Sequence, residues 1–402
     1  MKVVIVGNGL AGTIAAKTLR EADASLEIVV FGNEKYLYYP RPNLIEFLAG
    51  RLSYDRLFAF PKTWYDTRNI EVRLSMPVHR IRPESRVIET ADGKAEPYDA
   101  LCLADGAFSS VPLIKGSDKK GILTLRSLDD AQSILERLAS GSGDVVVIGG
   151  GLLGLEIARA LSTRGSSVTV LEFFPTLLPR QLDPPGGAVL RKVIEASGIR
   201  VRVGVVTEEI LGDGEVRGLR LKSGEEIPAG TIIIAAGIKP HTGLALDAGL
   251  AVEKGVLVND AMETSRAGIY AAGDGTQHRG RCYGIIPASF EQARTAAWSI
   301  LGRPKPYGGT VPSNSLKVMG IALSSVGVVN PENPAGVVEI RREIPEAGVY
   351  KKLVLQEGRL IGVVWMGTKK GVDALTKAVS ARRDVSGWEN DILSEDFDFA
   401  NL

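Results

Sequence analysis

Val3-Val4-Ile5-Val6-Gly7-Asn8-Gly9-Leu10-Ala11-Gly12 decides the fold. Four β-branched residues in a row suit a strand buried on both faces, as in a parallel sheet, and the glycines then turn the chain into a helical pattern that runs to Leu19. In a G-x-G-x-x-G turn so placed, Gly7 permits the tight bend, Gly9 lets the backbone approach a pyrophosphate, and Gly12 lets helix and strand pack. The helix N-terminus, opened by Leu10 and Ala11, then stabilises phosphate charge.

The same unit returns at Val145-Val146-Val147-Ile148-Gly149-Gly150-Gly151-Leu152-Leu153-Gly154. A second strand follows each copy, over 26–31 and 167–172, which gives the β-α-β order of a parallel sheet. In the second copy that strand ends at Glu172, roughly twenty residues after its turn, an acid suited to a ribose 2′-hydroxyl. NADH is therefore expected over NADPH, with Arg180 the nearby cation that a 2′-phosphate would use. The first copy ends Val30-Phe31-Gly32-Asn33-Glu34, so Glu34 is its ribose candidate and an exposed loop glutamate is the alternative. The expected fold class is α/β, with two doubly wound, Rossmann-like dinucleotide-binding domains.

Between the copies, 86–88 and 101–104 read as strands, and 128–138 reads as an amphipathic helix ending in Ser140-Gly141-Ser142-Gly143. Thr231 to Ala235 reads as a buried strand before Ala236 and Gly237, and a later strand leads into Gly273-Asp274-Gly275. The chain is expected to return to its first domain there. Arg303-Pro304-Lys305-Pro306-Tyr307-Gly308-Gly309 has a linker's composition, and the remainder alternates like an antiparallel sheet. The expected division is 1–110 and 239–308 for the first nucleotide domain, 111–238 for the second, and 309–402 for a smaller α+β domain.

At 402 residues, two or three cores are needed. The 48 basic and 47 acidic residues leave a net charge of +1 with no long run of one sign, so no nucleic-acid surface is indicated. Cys102 and Cys282 form no Cys-x-x-Cys, which argues against disulfide frameworks and zinc sites and favours a reducing cytoplasm. No stretch reaches the roughly 18 apolar residues that span a bilayer, and neither signal peptide nor anchor is expected. His79, His241 and His278 are scattered and are expected on surfaces or loops, without a metal cluster or a Ser-His-Asp set.

With Gly268-Ile269-Tyr270-Ala271-Ala272-Gly273-Asp274-Gly275 added to the two turns, the chain resembles the pyridine nucleotide-disulfide oxidoreductase class of two-dinucleotide flavoprotein reductases. Further matching pieces are Tyr98 to Ala107, Arg126 in Leu125-Arg126-Ser127-Leu128, and Ala235-Ala236-Gly237-Ile238-Lys239-Pro240. The resemblance implies FAD at the first turn and NAD at the second. It implies Asp274 as acceptor from the ribityl chain, and Pro42, Val78, Ala104, Asp105, Gly106, Arg126, Pro287 and Ala288 as further cofactor contacts. A helix near Pro287 would aim its N-terminal dipole at the flavin pyrimidine. Asp105 departs from the class, which has threonine there.

A second departure decides the chemistry. Where disulfide members carry Cys-x-x-x-x-Cys and peroxidase-like members a single cysteine, this chain reads Tyr39-Pro40-Arg41-Pro42-Asn43-Leu44-Ile45. A flavin-to-disulfide relay or a sulfenic acid is thereby removed. What remains resembles the cysteine-free NADH-dependent reductases of rubredoxin and ferredoxin and the flavin portion of nitrite reductases, whose carboxy-terminal domain is matched by Asn314 to Ile321 and by Asp396-Phe397-Asp398-Phe399. In that group a basic residue beside the flavin, matched by Arg41, pairs with an acid matched by Glu156. A guanidinium there would stabilise the charge of a flavin that has accepted hydride, the alternative being an ordinary interdomain ion pair.

The expected activity is electron transfer from NADH through FAD to a small redox protein, rubredoxin or ferredoxin, by a monomer or homodimer. Arg279 and Arg281 are candidates for attracting an acidic carrier, or form a solvated basic loop. Cys282 is a candidate for approaching the flavin. An NADH oxidase, the flavin subunit of a nitrite reductase-like system, and a flavin/NADH redox-sensing binding protein are the alternatives.

Overall fold

The computed structural model describes every residue except Ser142, Met319 and Pro334. Ser142 of the glycine-serine stretch and Met319 of the carboxy-terminal motif thus lie outside the described residues. The chain divides into two compact units, one of Met1–Phe47, Leu52–Phe108 and Ile238–Thr310, the other of Leu48–Arg51, Ser109–Gly237 and Val311–Leu402.

The first unit holds a five-stranded parallel sheet in the order Ile269–Ala271, Ala100–Leu103, Lys2–Val6, Glu27–Phe31, Ile70–Arg73. Val3, Val4 and Ile5 are fully buried, because apolar side chains cover both faces of the sheet. Helix Leu10–Ala22 packs on one face together with Ile286–Ile300, meeting through Ala15, Ala16, Ala293, Ala296 and Ala297. Those small side chains let the two backbones approach closely. The antiparallel strands Val78–Arg82, Val87–Thr90 and Ala95–Pro97 form a separate small sheet.

The second unit repeats the plan with parallel strands Arg200–Val203, Val168–Glu172, Val145–Ile148, Thr231–Ile234 and Ile122–Leu123. Helix Leu128–Ala139 starts at a capping box in which Ser127 and Asp130 satisfy each other's backbone N–H groups. The carboxy-terminal sheet is wholly antiparallel, in the order Ser313–Val318, Ile321–Gly327, Arg359–Met366, Val349–Gln356, Val337–Ile344, and helix Val372–Ser380 packs on it. No helix is long and apolar enough to cross a membrane among the described residues.

His278 corrects one expectation. It is fully buried in the strand Thr276–His278, and its Nε2 lies 2.9 Å from Asp260, which also accepts from Arg279. The strand Val256–Val258 pairs beside it and the Tyr307 ring lies 4.8 Å from its own, and the polar sequence Thr276-Gln277-His278 gives no hint of that burial. His79 is exposed and His241 is intermediate, in keeping with the expectation.

A buried ionic cluster ties the carboxy-terminal sheet to the helix Pro184–Ala196 within the second unit. Asp183 caps that helix through Gly186 and accepts from Tyr350 Oη at 2.6 Å, Lys352 Nζ at 3.0 Å and Arg341 Nε at 3.0 Å. Burial pushes the Asp183 carboxyl up, but the Tyr350 and Lys352 hydrogen bonds outweigh it and hold the pKa below the ordinary 3.8. The cluster's contribution is therefore present at neutral pH and is lost only as pH falls through that depressed value. Asp183→Ala leaves Lys352 buried with Glu339 as its remaining carboxylate and should cost about 3–5 kcal/mol. Tyr350→Phe should cost about 1 kcal/mol, both read from urea denaturation followed by tryptophan fluorescence.

Candidate functional site

Each parallel sheet ends in a glycine turn whose geometry separates the work of its three glycines. Gly7 has φ +112°, and a side chain on it would meet the Ala104 carbonyl oxygen at 2.1 Å. A side chain on Gly12 would meet the Gly7 carbonyl oxygen at 1.9 Å, so the helix packs backbone to backbone on the strand end. Gly9 has nothing within 4 Å, which leaves room in front of the first helical turn. The second turn reproduces this: Gly149 has φ +123° with Ala235 O at 2.3 Å, Gly154 meets Gly149 O at 1.9 Å, and Gly151 is open. Gly9 and Gly151 are the N-caps of Leu10–Ala22 and Leu152–Thr163, and neither offers a side-chain acceptor to the first-turn N–H groups. Leu10, Ala11, Leu152 and Leu153 open these helices, and Leu153 is exposed. Both turns therefore present an anion with converging donors and a helix dipole.

Around the first turn the sheet brings together three strand ends. Ala104 donates to Val6 O at 2.7 Å and Ala272 donates to Leu103 O at 2.9 Å, so Gly7, Ala104-Asp105-Gly106 and Gly273-Asp274 stand side by side. Gly273, with φ +97°, has Ala11 Cβ 3.0 Å from its own missing Cβ, and its N–H donates to Gln292 Oε1 at 2.9 Å. Ser289 Oγ lies 3.5 Å from Asp274 Oδ1, at the start of the helix that Pro287 and Ala288 open. Asn8 Oδ1 and Gln292 Nε2 are buried here with no hydrogen-bond partner. Val78 begins the small antiparallel sheet, at an irregularity in its pairing with Val87–Thr90. Two turns of backbone, an acid at a strand end and two orphaned polar atoms fit a dinucleotide.

Glu34 is not an isolated loop residue. Its carboxylate accepts from Tyr39 Oη at 2.5 Å and from Arg41 Nη2 at 2.6 Å, and Arg41 Nη1 also donates to Tyr39 Oη at 2.6 Å. Arg41 is thus positioned by Glu34, an acid that the sequence offered for the ribose or as an exposed loop residue, while Pro42 begins the turn into the helix Asn43–Leu48. Glu156 lies in the helix Leu152–Thr163 of the second unit.

In the second unit Glu172 is buried at the end of Val168–Glu172, where its carboxylate accepts from Gly150 N at 2.6 Å and from Phe174 N at 2.8 Å. Besides its suitability for a ribose, this acid locks the glycine turn to the strand that follows. A side chain at Gly150 would stand 2.6 Å from Leu177 and 2.9 Å from Glu172 Cβ, so the middle glycine is required. Phe173 and Phe174 project beside it, 64% and 51% exposed, with rings edge to face at 5.3 Å. Ala236 and Gly237 follow the strand Thr231–Ile234, next to Ala235 against which Gly149 packs. Arg126 N donates to Asp130 at 2.7 Å, extending the capping box.

The surroundings of both cysteines favour the neutral thiol. Burial, with the Asp105 charge adding to it, pushes the Cys102 thiol up to about 12. Burial also raises that of Cys282, whose sulfur packs against Gly255. Among the described residues no group of His, Cys, Asp and Glu could hold a metal ion.

Comparison with known proteins gives two matching families. Residues 1–299 match pyridine nucleotide-disulphide oxidoreductase, and residues 312–383 match the rubredoxin NAD+ reductase C-terminal domain. A nitrite reductase [NAD(P)H] of Bacillus subtilis is 35% identical over 96% of this chain and 48% of that protein. The chain spans about half the length of that and similar nitrite and nitrate reductase relatives. An NADH-rubredoxin oxidoreductase of Clostridium acetobutylicum is 32% identical over 93% of this chain and 94% of that one. Its crystal structure superposes with a TM-score of 0.82, at 29% identity over 100% of this chain and 99% of that chain. The reductase of a covalent putidaredoxin reductase-putidaredoxin complex gives 0.90, at 26% identity over 100% and 97% of the two chains.

The glycine geometry separates folding from binding. Gly9→Ala and Gly151→Ala place a methyl group in open space, so they should cost at most about 1 kcal/mol in a thermal melt. Each should weaken its own dinucleotide at least about tenfold in a binding titration, because the methyl occupies the approach to the phosphates. Gly12→Ala, which meets a carbonyl oxygen, should instead destabilise the first unit by about 3 kcal/mol.

Proposed function

From the premise that the chain belongs to the pyridine nucleotide-disulphide oxidoreductase family, we propose that it is an NADH-dependent flavoprotein reductase that passes electrons to a small one-electron carrier, with rubredoxin the preferred partner. The observation that carries this reading is the pair of matching glycine cradles combined with Arg41, rather than a thiol, in the segment Tyr39 to Ile45. FAD is assigned to the first cradle and NADH to the second. The rubredoxin-reductase match over residues 312–383 supports the choice of carrier.

FAD, when bound, supplies the acceptance of hydride and the release of electrons one at a time. The chain's own residues position and stabilise. Gly7, Gly9 and Gly12 with the first turn of Leu10–Ala22 hold the pyrophosphate, and Asp274 accepts from the ribityl chain. Gly149, Gly151 and Gly154 hold the pyrophosphate of NADH, and Glu172 accepts from its ribose, which disfavours a 2′-phosphate. Arg41 would supply positive charge to the flavin, its guanidinium held in place by Glu34 and Tyr39. Cys102 and Cys282 take no part. A cytoplasmic location suits a protein whose two cysteines are both unpaired.

Stopped-flow mixing of NADH-reduced protein with rubredoxin, ferredoxin and oxygen in turn tests the carrier. Rubredoxin should be reduced fastest, and oxygen consumption at an equal rate would overturn the assignment in favour of an oxidase. Glu172→Ala should raise KM for NADH about tenfold with flavin content unchanged, since it removes both a ribose acceptor and the clamp on Gly150. Loss of flavin instead would mean the two cradles are assigned the wrong way round. Arg41→Ala should slow flavin bleaching by NADH about a hundredfold, while Arg41→Lys keeps the charge and recovers part of it.

A further inference from the structure

The second cradle is bordered by the segment from Phe173 to Leu182, which runs without helix or strand from the end of Val168–Glu172 to Asp183, the cap of Pro184–Ala196. So irregular a stretch keeps one conformation only where its main-chain polar groups are satisfied from outside. At its start, Phe174 N donates to Glu172 at 2.8 Å and Gly204 N donates to Phe174 O at 2.8 Å. Its middle leans on the nucleotide turn. Leu178 N donates to Gly150 O at 3.1 Å, and the Leu177 side chain lies 2.6 Å from the point where a side chain on Gly150 would begin. Leu178 is fully buried and sits in the left-handed region at φ +49°, a conformation that a leucine keeps only where its neighbours impose it.

The far end of the segment is held by the carboxy-terminal domain. Leu178 O accepts from Gln181 N and Leu182 N, both at 2.8 Å, which closes a single turn. Two carbonyls of that turn then accept from one side chain: Asn330 Nδ2 donates to Pro179 O at 3.1 Å and to Leu182 O at 2.9 Å. Both protons of the amide are thereby spent on the turn. Asn330 is itself presented from fixed backbone. It follows the strand Ile321–Gly327 through Val328, whose N–H donates to Ile361 O at 2.9 Å, and Val329, whose carbonyl accepts from the buried Lys352 at 2.9 Å. All of these residues belong to the second unit.

We propose that Asn330 is a positioning residue for NADH, through which the carboxy-terminal sheet holds the Leu178 turn against Gly150 and keeps the second cradle in its binding geometry. This rests on the assignment of NADH to that cradle. Gly150 is pinned from two sides, its N–H by Glu172 and its carbonyl by Leu178. Releasing the second pin leaves the cradle seated for only part of the time, and the apparent affinity falls by the fraction that stays seated. Asn330 acts through the loop, so hydride transfer from NADH already bound is untouched. The loss therefore belongs to KM and not to kcat.

The test is steady-state reduction of ferricyanide by NADH with the full-length holoprotein, beside equilibrium titration with ADP-ribose, which carries the pyrophosphate without the nicotinamide. Asn330→Ala and Asn330→Asp both remove the two donated hydrogen bonds. Each should raise KM for NADH and weaken ADP-ribose binding about five- to tenfold, with kcat and flavin content unchanged. Asn330→Gln keeps the amide and should recover part of the loss. Because linkage is reciprocal, ADP-ribose should slow hydrogen exchange across residues 321–330 in the wild type and leave it unchanged in Asn330→Ala. A lowered Tm in the Asn330 variants with KM and ADP-ribose affinity at wild-type values, while Glu172→Ala raises KM, would make the amide a purely structural contact and overturn the proposal. If Glu172→Ala leaves KM unchanged as well, the assignment of NADH to this cradle falls, and the proposal with it.

Discussion

The constraint on which both cradles depend lies between two stretches of backbone: the start of a helix seated on the carbonyl of the glycine that ends the preceding strand, with no room for a single carbon between Gly12 and Gly7 or between Gly154 and Gly149. That contact fixes where the helix axis points relative to the sheet. It thereby sets the distance between the first-turn N–H groups and the open space at Gly9 and Gly151. A phosphate site made this way is a property of the main chain, and it survives wide change in the surrounding side chains.

Side chains enter at the strand ends. In the first unit the acids Glu34, Asp105 and Asp274 stand at or just past three of them, and the guanidinium of Arg41 meets the charge of Glu34. In the second unit Glu172 is satisfied by two backbone N–H groups, so its position is set before any ligand arrives. Preorganisation of this kind lowers the ordering cost of binding.

What the sequence made legible was what depends on local spacing. The paired turns, the parallel strands that feed them and the alternation of the last ninety or so residues were all readable, because glycine spacing and apolar periodicity report on main-chain geometry directly. Contacts made through space were not. Arg41 and Glu34 are close in sequence, yet nothing in Glu34-Lys35-Tyr36-Leu37-Tyr38-Tyr39-Pro40-Arg41 shows that the chain folds back to join them. The helix Pro184–Ala196 hides behind Pro184-Pro185-Gly186-Gly187, residues that ordinarily break helices. The prolines fit its first turn, and the glycines are needed because side chains there would meet the Tyr350 ring at 2.8 Å and Thr176 Oγ1 at 1.8 Å. His278 escaped for a similar reason, since its burial depends on a strand and an aspartate distant in sequence.

The cluster centred on Asp183 bears on how such proteins can be rebuilt. Recombination between relatives would naturally be cut at the proline-glycine linker before Val311, where the composition changes. The electrostatic seam, however, runs through an acid more than a hundred residues upstream, which Lys352, Tyr350 and Arg341 address together. A tail exchanged without its matching helix cap would arrive with a buried ammonium short of one of its two carboxylates. The portable module is therefore the tail plus that cap.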